Sequence, residues 1–232
     1  MHKKFVLITF IVALGTAITY LYFTLRPDNV RRIQVFAWMR DPAARPGLKM
    51  QAGTRCGEAP FIFPTDGLVG FLWDDSFRLG HHHQGIDIFA GTGIGTTRVI
   101  AAYPGYLSRL PDWRSSVIVR VPDDPLASGR QIWVYYTHMA DEQGNSFISD
   151  EFPPGTVDKL VEAGTFLGYQ GDYSGDPNNP TGIHLHVSIV MDDGFGRFKN
   201  ELEINNTYDP SPYFGLPLNA HDNTDQIPTC QD

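Results

Sequence analysis

Between about residue 60 and residue 190, apolar residues recur at every second position in short runs separated by turn residues. Residues 98–103, 106–108, 116–121, 131–138, 165–171 and 181–190 each carry this period-two pattern, enriched in β-branched and aromatic side chains, and predict strands. The Pro104-Gly105 pair, residues 122–125 with Ser128-Gly129, and Asp192-Asp193-Gly194 supply the turns. Residues 116–121 and 131–138 then read as the two arms of a hairpin. Phe61, Phe63, Phe71, Trp73 and Phe77 alternate with turn residues and predict short strands leading up to a loop at Gly80. The cluster Gly91-Thr92-Gly93-Ile94-Gly95 is a turn. It lacks the lysine and the following helix of a phosphate-binding loop. Residues 157–163 predict a single helical turn. The fold class expected is therefore all-β: a compact antiparallel sheet or sandwich-like domain.

The ends of the chain read differently. Residues 5–25 are 21 consecutive residues without a charge, preceded by Lys3 and Lys4. As a helix this run spans roughly 30 Å, the thickness of a bilayer core. It is either a signal peptide cut near Gly15-Thr16-Ala17 or an uncleaved transmembrane anchor. The anchor is favoured, because cleavage there leaves the apolar residues 18–25 on the mature chain. Lys3 and Lys4 on one side and Arg26, Arg31 and Arg32 on the other leave the orientation open. Residues 26–55, with Pro27, Pro42, Pro46 and no sustained period, read as a linker or stalk with one short strand at residues 33–36. The domain is expected at residues 56–215, followed by a polar, poorly ordered tail at 216–232.

Charge and cysteine count narrow the picture. Net charge is −8 over 232 residues, with no basic cluster, which excludes nucleic acid as the partner. The two cysteines, Cys56 and Cys230, lie outside any C-x-x-C spacing. An even count in a chain that leaves the cytoplasm suggests one disulfide joining tail and domain entrance.

The candidate chemistry lies in the histidines. His184 and His186 are two apart in a predicted strand, so both leave one face, about 7 Å apart. His81-His82-His83-Gln84-Gly85-Ile86-Asp87 places a carboxylate four residues after His83. On a straight strand that separation is about 13 Å, and Gly85 permits the bend that closes it. His138 ends the strand at 131–138. A catalytic zinc takes three nitrogen or oxygen ligands and leaves one position open. His83, Asp87 and one of His184 and His186 supply such a set. The remaining histidines have the ordinary pKa near 6.5 suited to proton transfer at neutral pH. A two-histidine, one-carboxylate iron site is a poorer match, since its acid usually follows the first histidine by two residues.

Three motifs in this order, His83-x-x-x-Asp87, Tyr136-Thr137-His138 and His184-Leu185-His186, with Gly168-Tyr169-Gln170-Gly171 before the last, resemble the lysostaphin/LytM-type zinc metallopeptidases. The resemblance covers roughly residues 60–191. It implies one Zn2+ held by His83, Asp87 and His186. It implies that His138 and His184 serve as general base and transition-state stabiliser around the attacking water. It further implies a groove across the sheet and, as substrate, the peptide part of bacterial cell-wall peptidoglycan. With the N-terminal helix the expectation becomes a membrane-anchored, extracytoplasmic endopeptidase, or a secreted one if the segment is cleaved. The alternative is a non-catalytic protein that regulates other wall hydrolases.

Overall fold

Alternating apolar and polar positions become two-faced strands in the computed structural model, which describes residues 15, 27–76, 80–223 and 225–230. Ten strands occur among these residues: β1 (Leu68–Phe71), β2 (Ile86–Phe89), β3 (Arg98–Ile100), β4 (Gly105–Ser108), β5 (Val117–Val121), β6 (Ile132–Thr137), β7 (Lys159–Val161), β8 (Phe166–Tyr169), β9 (Leu185–Met191) and β10 (Thr207–Tyr208). Eight of them form one sheet in the order β1-β2-β9-β6-β5-β4-β7, with β10 added alongside β9. The other two, β3 and β8, pair as a small second sheet. Every pairing is antiparallel.

One face of the large sheet is the core. Ile86, Ile88, Val117, Val119, Val134, Tyr136, Val187 and Ile189 all enter a single buried cluster with Phe61, Phe63, Val99, Leu167 and Phe214. The small sheet and the loop around Phe61 and Phe63 therefore cover this face as a second layer. Each such side chain taken out of water contributes about 1.5–3 kcal/mol. The only polar end in the row is the Tyr136 hydroxyl, which accepts a hydrogen bond from the Ala102 amide at 2.8 Å.

The opposite face carries the chemistry, and the register fixes it. Asp87 on β2 lies across from His186 on β9, and His186 lies across from Thr137 on β6. One row of the sheet thus reads Asp87, His186, Thr137. The next positions on the same face are Tyr135 opposite Ser188, then Trp133 opposite Val190.

Three expectations are corrected. Residues 26–55 are not a bare stalk with a strand at 33–36; Pro27–Arg40 is an α-helix, α1. Its buried residues Arg31, Val35 and Trp38 follow a 4-then-3 spacing, which is one helical face. Val35 and Trp38 pack on Leu68 and Phe89, so α1 sits on the chemical face of the sheet over β1 and β2. Residues 159–161 form β7 beside β4 and are not helical. The tail is packed down: after the four-residue helix α2 (Ser211–Phe214), Leu216, Leu218 and Ile227 are buried, and Cys230 is disulfide-bonded to Cys56. The apolar run 5–25 lies outside the described residues apart from Gly15, as does Phe77. Among the described residues no helix is long and apolar enough to cross a membrane.

Candidate metal centre and groove

His83, Asp87 and His186 meet in a buried triangle. His83 Nε2 is 3.1 Å from Asp87 Oδ1 and 3.0 Å from His186 Nδ1, and His186 Nδ1 is 2.9 Å from Asp87 Oδ1. A tetrahedral ion with bonds of about 2.0–2.1 Å has its ligands about 3.3 Å apart. The three sides match that spacing closely. The donor set, two imidazoles and a carboxylate with no sulfur, is that of a catalytic zinc site.

The local sequence explains why the triangle closes. His83 is in the loop before β2, and Asp87 is the second residue of β2. A Cβ on Gly85 would stand 2.1 Å from the Val187 carbonyl oxygen and 3.0 Å from His186 Nε2. Only glycine lets the chain turn from His83 into β2 so close to β9. Among the three consecutive histidines the structure selects His83, which is 5% exposed. The neighbouring His82 bonds instead to Asp74, which also holds His221 in the tail.

Tautomers follow from the acceptors. His83 Nδ1 is 2.8 Å from the Leu72 carbonyl, which only accepts, so Nδ1 carries the proton of the neutral ring, and loss of any second proton from Nε2 leaves a lone pair facing the triangle. Burial alone lowers the His83 pKa, yet the Asp87 carboxylate with its hydrogen bond and the Leu72 carbonyl hold it above its ordinary 6.5. For Asp87, burial works upward. The charges of His83 and His184 and the hydrogen bonds of His184 and His186 overcome it and hold the carboxyl well below its usual range. His186 is lowered by burial, which its Asp87 hydrogen bond only partly offsets.

Two further imidazoles stand over the triangle. His184 Nε2 lies 3.5 Å from Asp87 Oδ1, and its Nδ1 donates to the Gly182 carbonyl at 2.9 Å. The Phe89 ring stacks on it. His138 lies 4.5 Å from His184 between ring centroids, and its Nδ1 donates to the Tyr173 carbonyl at 2.6 Å. Burial and the neighbouring His184 and His186 push its pKa down to about 3. His138 also has φ of 70°, a left-handed conformation that costs a non-glycine residue about 1–3 kcal/mol. That turn carries the chain off the end of β6 at the one position where the side chain faces the triangle. Both rings are thus pinned at Nδ1 by a backbone carbonyl; Nε2 of His138 is left as a proton acceptor, whereas Nε2 of His184 faces Asp87.

The site lies in a groove of about 750 Å3. Trp113, Tyr135, Tyr173, Phe89 and Glu201 are among its lining residues. Its floor is a chain of hydroxyls: Ser116 Oγ lies 2.7 Å from Thr137 Oγ1 and 2.9 Å from the Tyr135 hydroxyl. All five residues singled out from the sequence are brought together. Sequence reading missed the backbone carbonyls of Leu72, Tyr173 and Gly182, which carry no side-chain signature, and the hydroxyl floor. The floor had a signal, since Ser116 opens one predicted strand while Tyr135 and Thr137 alternate in the next.

Solved structures similar to this chain include the catalytic domain of the antimicrobial peptidase lysostaphin from Staphylococcus simulans, 20% identical at a TM-score of 0.40 over 64% of this chain and 89% of that one. The catalytic domain of the prophage-encoded M23 protein EnpA from Enterococcus faecalis is 21% identical at 0.40, over 64% and 95%. No family model matches the chain, and no curated protein matches it in sequence. At these identities and TM-scores, the chemistry of the site is read from its own residues.

Proposed function

We propose that this chain is a zinc-dependent endopeptidase that hydrolyses peptide bonds in bacterial cell-wall peptidoglycan. The observation that carries this reading is the triangle of His83, Asp87 and His186 with two more imidazoles over it, each pinned at Nδ1 by a backbone carbonyl. Zn2+ bound there would polarise the scissile carbonyl and acidify a water toward neutral pKa. His138 stays neutral at neutral pH and takes the proton of that water at Nε2. His184, beside Asp87, donates to the oxygen on which negative charge grows. The groove accepts an extended peptide, with hydroxyls of Ser116, Thr137 and Tyr135 to bind its backbone. The wall as substrate rests on the motif resemblance, and the run at 5–25 is the anchor that holds the domain near it, outside the cytoplasm.

The test is metal content of the full chain in detergent, with digestion of purified peptidoglycan by the wild type and by His184→Ala. One zinc per chain, with new amino termini that disappear in the variant, supports the enzyme. Zinc without cleavage of several wall chemistries favours the non-catalytic regulator. Absence of zinc overturns the site.

A further inference from the structure

Helix α1 precedes the domain in sequence, yet it reaches the metal centre. Arg31 is fully buried, and its guanidinium holds both carboxylate oxygens of Asp75, itself 3% exposed. A second amine of Arg31 donates to the Asn223 carbonyl at 2.8 Å, which ties in the tail. Asp75 closes the loop that follows β1. Its Oδ2 accepts from the Leu72 amide at 2.8 Å, its own amide donates to the Leu72 carbonyl at 3.2 Å, and its carbonyl accepts from the His83 amide at 2.9 Å. The Asp74 amide donates to the His83 carbonyl at 2.8 Å. The Leu72 carbonyl, finally, is the acceptor that fixes the His83 imidazole. His83 is therefore held at its backbone on both sides and at its ring by one loop, and that loop is closed by a buried carboxylate.

Removing one partner of a buried ion pair leaves the other as an uncompensated buried charge, which the surrounding loop must shift to solvate. That shift loosens the Asp75–Leu72 contact. We infer that Arg31 is a positioning residue for the metal centre, acting through Asp75 and Leu72 to aim Nε2 of His83. Outer-shell partners of a ligating histidine typically set metal affinity by 10–100-fold. The inference rests on the metal-centre reading above but not on the substrate.

The experiment titrates Co2+, followed by its visible absorption, and then Zn2+ in competition, into the metal-free full chain in detergent. Arg31→Met should weaken Co2+ binding about tenfold or more and alter the absorption band, as a loosened third ligand would. Arg31→Lys, which restores the charge without the two-pronged geometry, should recover part of the affinity. The control is Val35→Ala, which loosens the same helix without touching Asp75. It should lower thermal stability but leave Co2+ affinity within about twofold, far short of the outer-shell effect. Equal affinity loss in Val35→Ala at matched stability, or an Arg31→Met chain that binds like wild type, overturns the inference. Should Arg31→Met fail to fold, the double variant Arg31→Met with Asp75→Ala removes both charges and the side-chain acceptor for the Leu72 amide. Retained affinity in it is equally fatal. A wild-type chain that binds neither ion sinks the metal centre. The positioning claim is then judged by imidazole 15N shifts, where a His83 tautomer that stays fixed in Arg31→Met overturns it.

Discussion

Asp87 accepts from two histidines and lies within 3.5 Å of a third, and this crowding sets the proton inventory of the metal-free site. The pKa values of Asp87 and His186 are lowered, while that of His83 is raised above its ordinary 6.5. Metal therefore competes with a proton for His83. Zn2+ affinity should fall about tenfold per pH unit below the metal-free His83 pKa, with about one proton released per ion, measurable by calorimetry in buffers of different ionisation enthalpy. His138 is neutral down to about pH 3 and does not set the acid limit of activity. The acid limb should instead follow metal loss, so that tenfold more free zinc moves it toward lower pH by up to about one unit. An acid limb that ignores zinc concentration would place the titrating group elsewhere. His138→Ala and His184→Ala should each lower kcat by about 10²–10⁴ while zinc stays bound. The candidate ligand types were legible because three histidine-bearing motifs follow one another in the chain; each alone is weak, since a His-x-His pair on a strand is as readily a plain solvated face. The choice of His186 over His184 came from the motif resemblance, and the geometry of the triangle agrees with it.

At the scale of elements, close approach does what side-chain contacts cannot. A Cβ on Gly171 would stand 2.0 Å from the Ala140 carbonyl oxygen. Gly171 also bridges to His184, and Ala140 follows His138 by two residues. Gly171→Ala should therefore push His138 and His184 apart, costing about 1–3 kcal/mol in denaturant unfolding together with most of the proposed activity. Gly47→Ala, whose Cβ meets nothing within 4 Å, should cost neither. The strands on the large sheet were legible because each has one dry face and one wet one. Helix α1 was not, because one of its three inward residues is Arg31, which reads as surface, while Ile33 and Phe36 point outward at 60% and 53% exposure. β7 misled for a related reason. It is a three-residue edge strand with Lys159 and Leu160 exposed, so it has no alternation to display.

For the whole molecule, tail and entrance form one closure. Cys230 joins Cys56 across 174 residues, Ile227 packs with Val35 and Trp38, and the Asn223 carbonyl accepts from Arg31. In the chain-entropy model a loop of that length contributes about 5 kcal/mol at most. Reduction should lower the denaturant midpoint with the metal site still formed, since His83, Asp87 and His186 all lie outside the tail. A sequence cannot easily announce such a tail, because its few apolar residues follow no period and gain meaning only from what they cover. The sheet has its own long-range demand. His186 and Asp87 are neighbours across β9 and β2 but 99 residues apart along the chain. A ribosome must therefore finish nearly the whole domain before the last ligand exists. Every shorter nascent chain lacks one corner of the triangle, so the candidate metal centre cannot form while the chain is still being made.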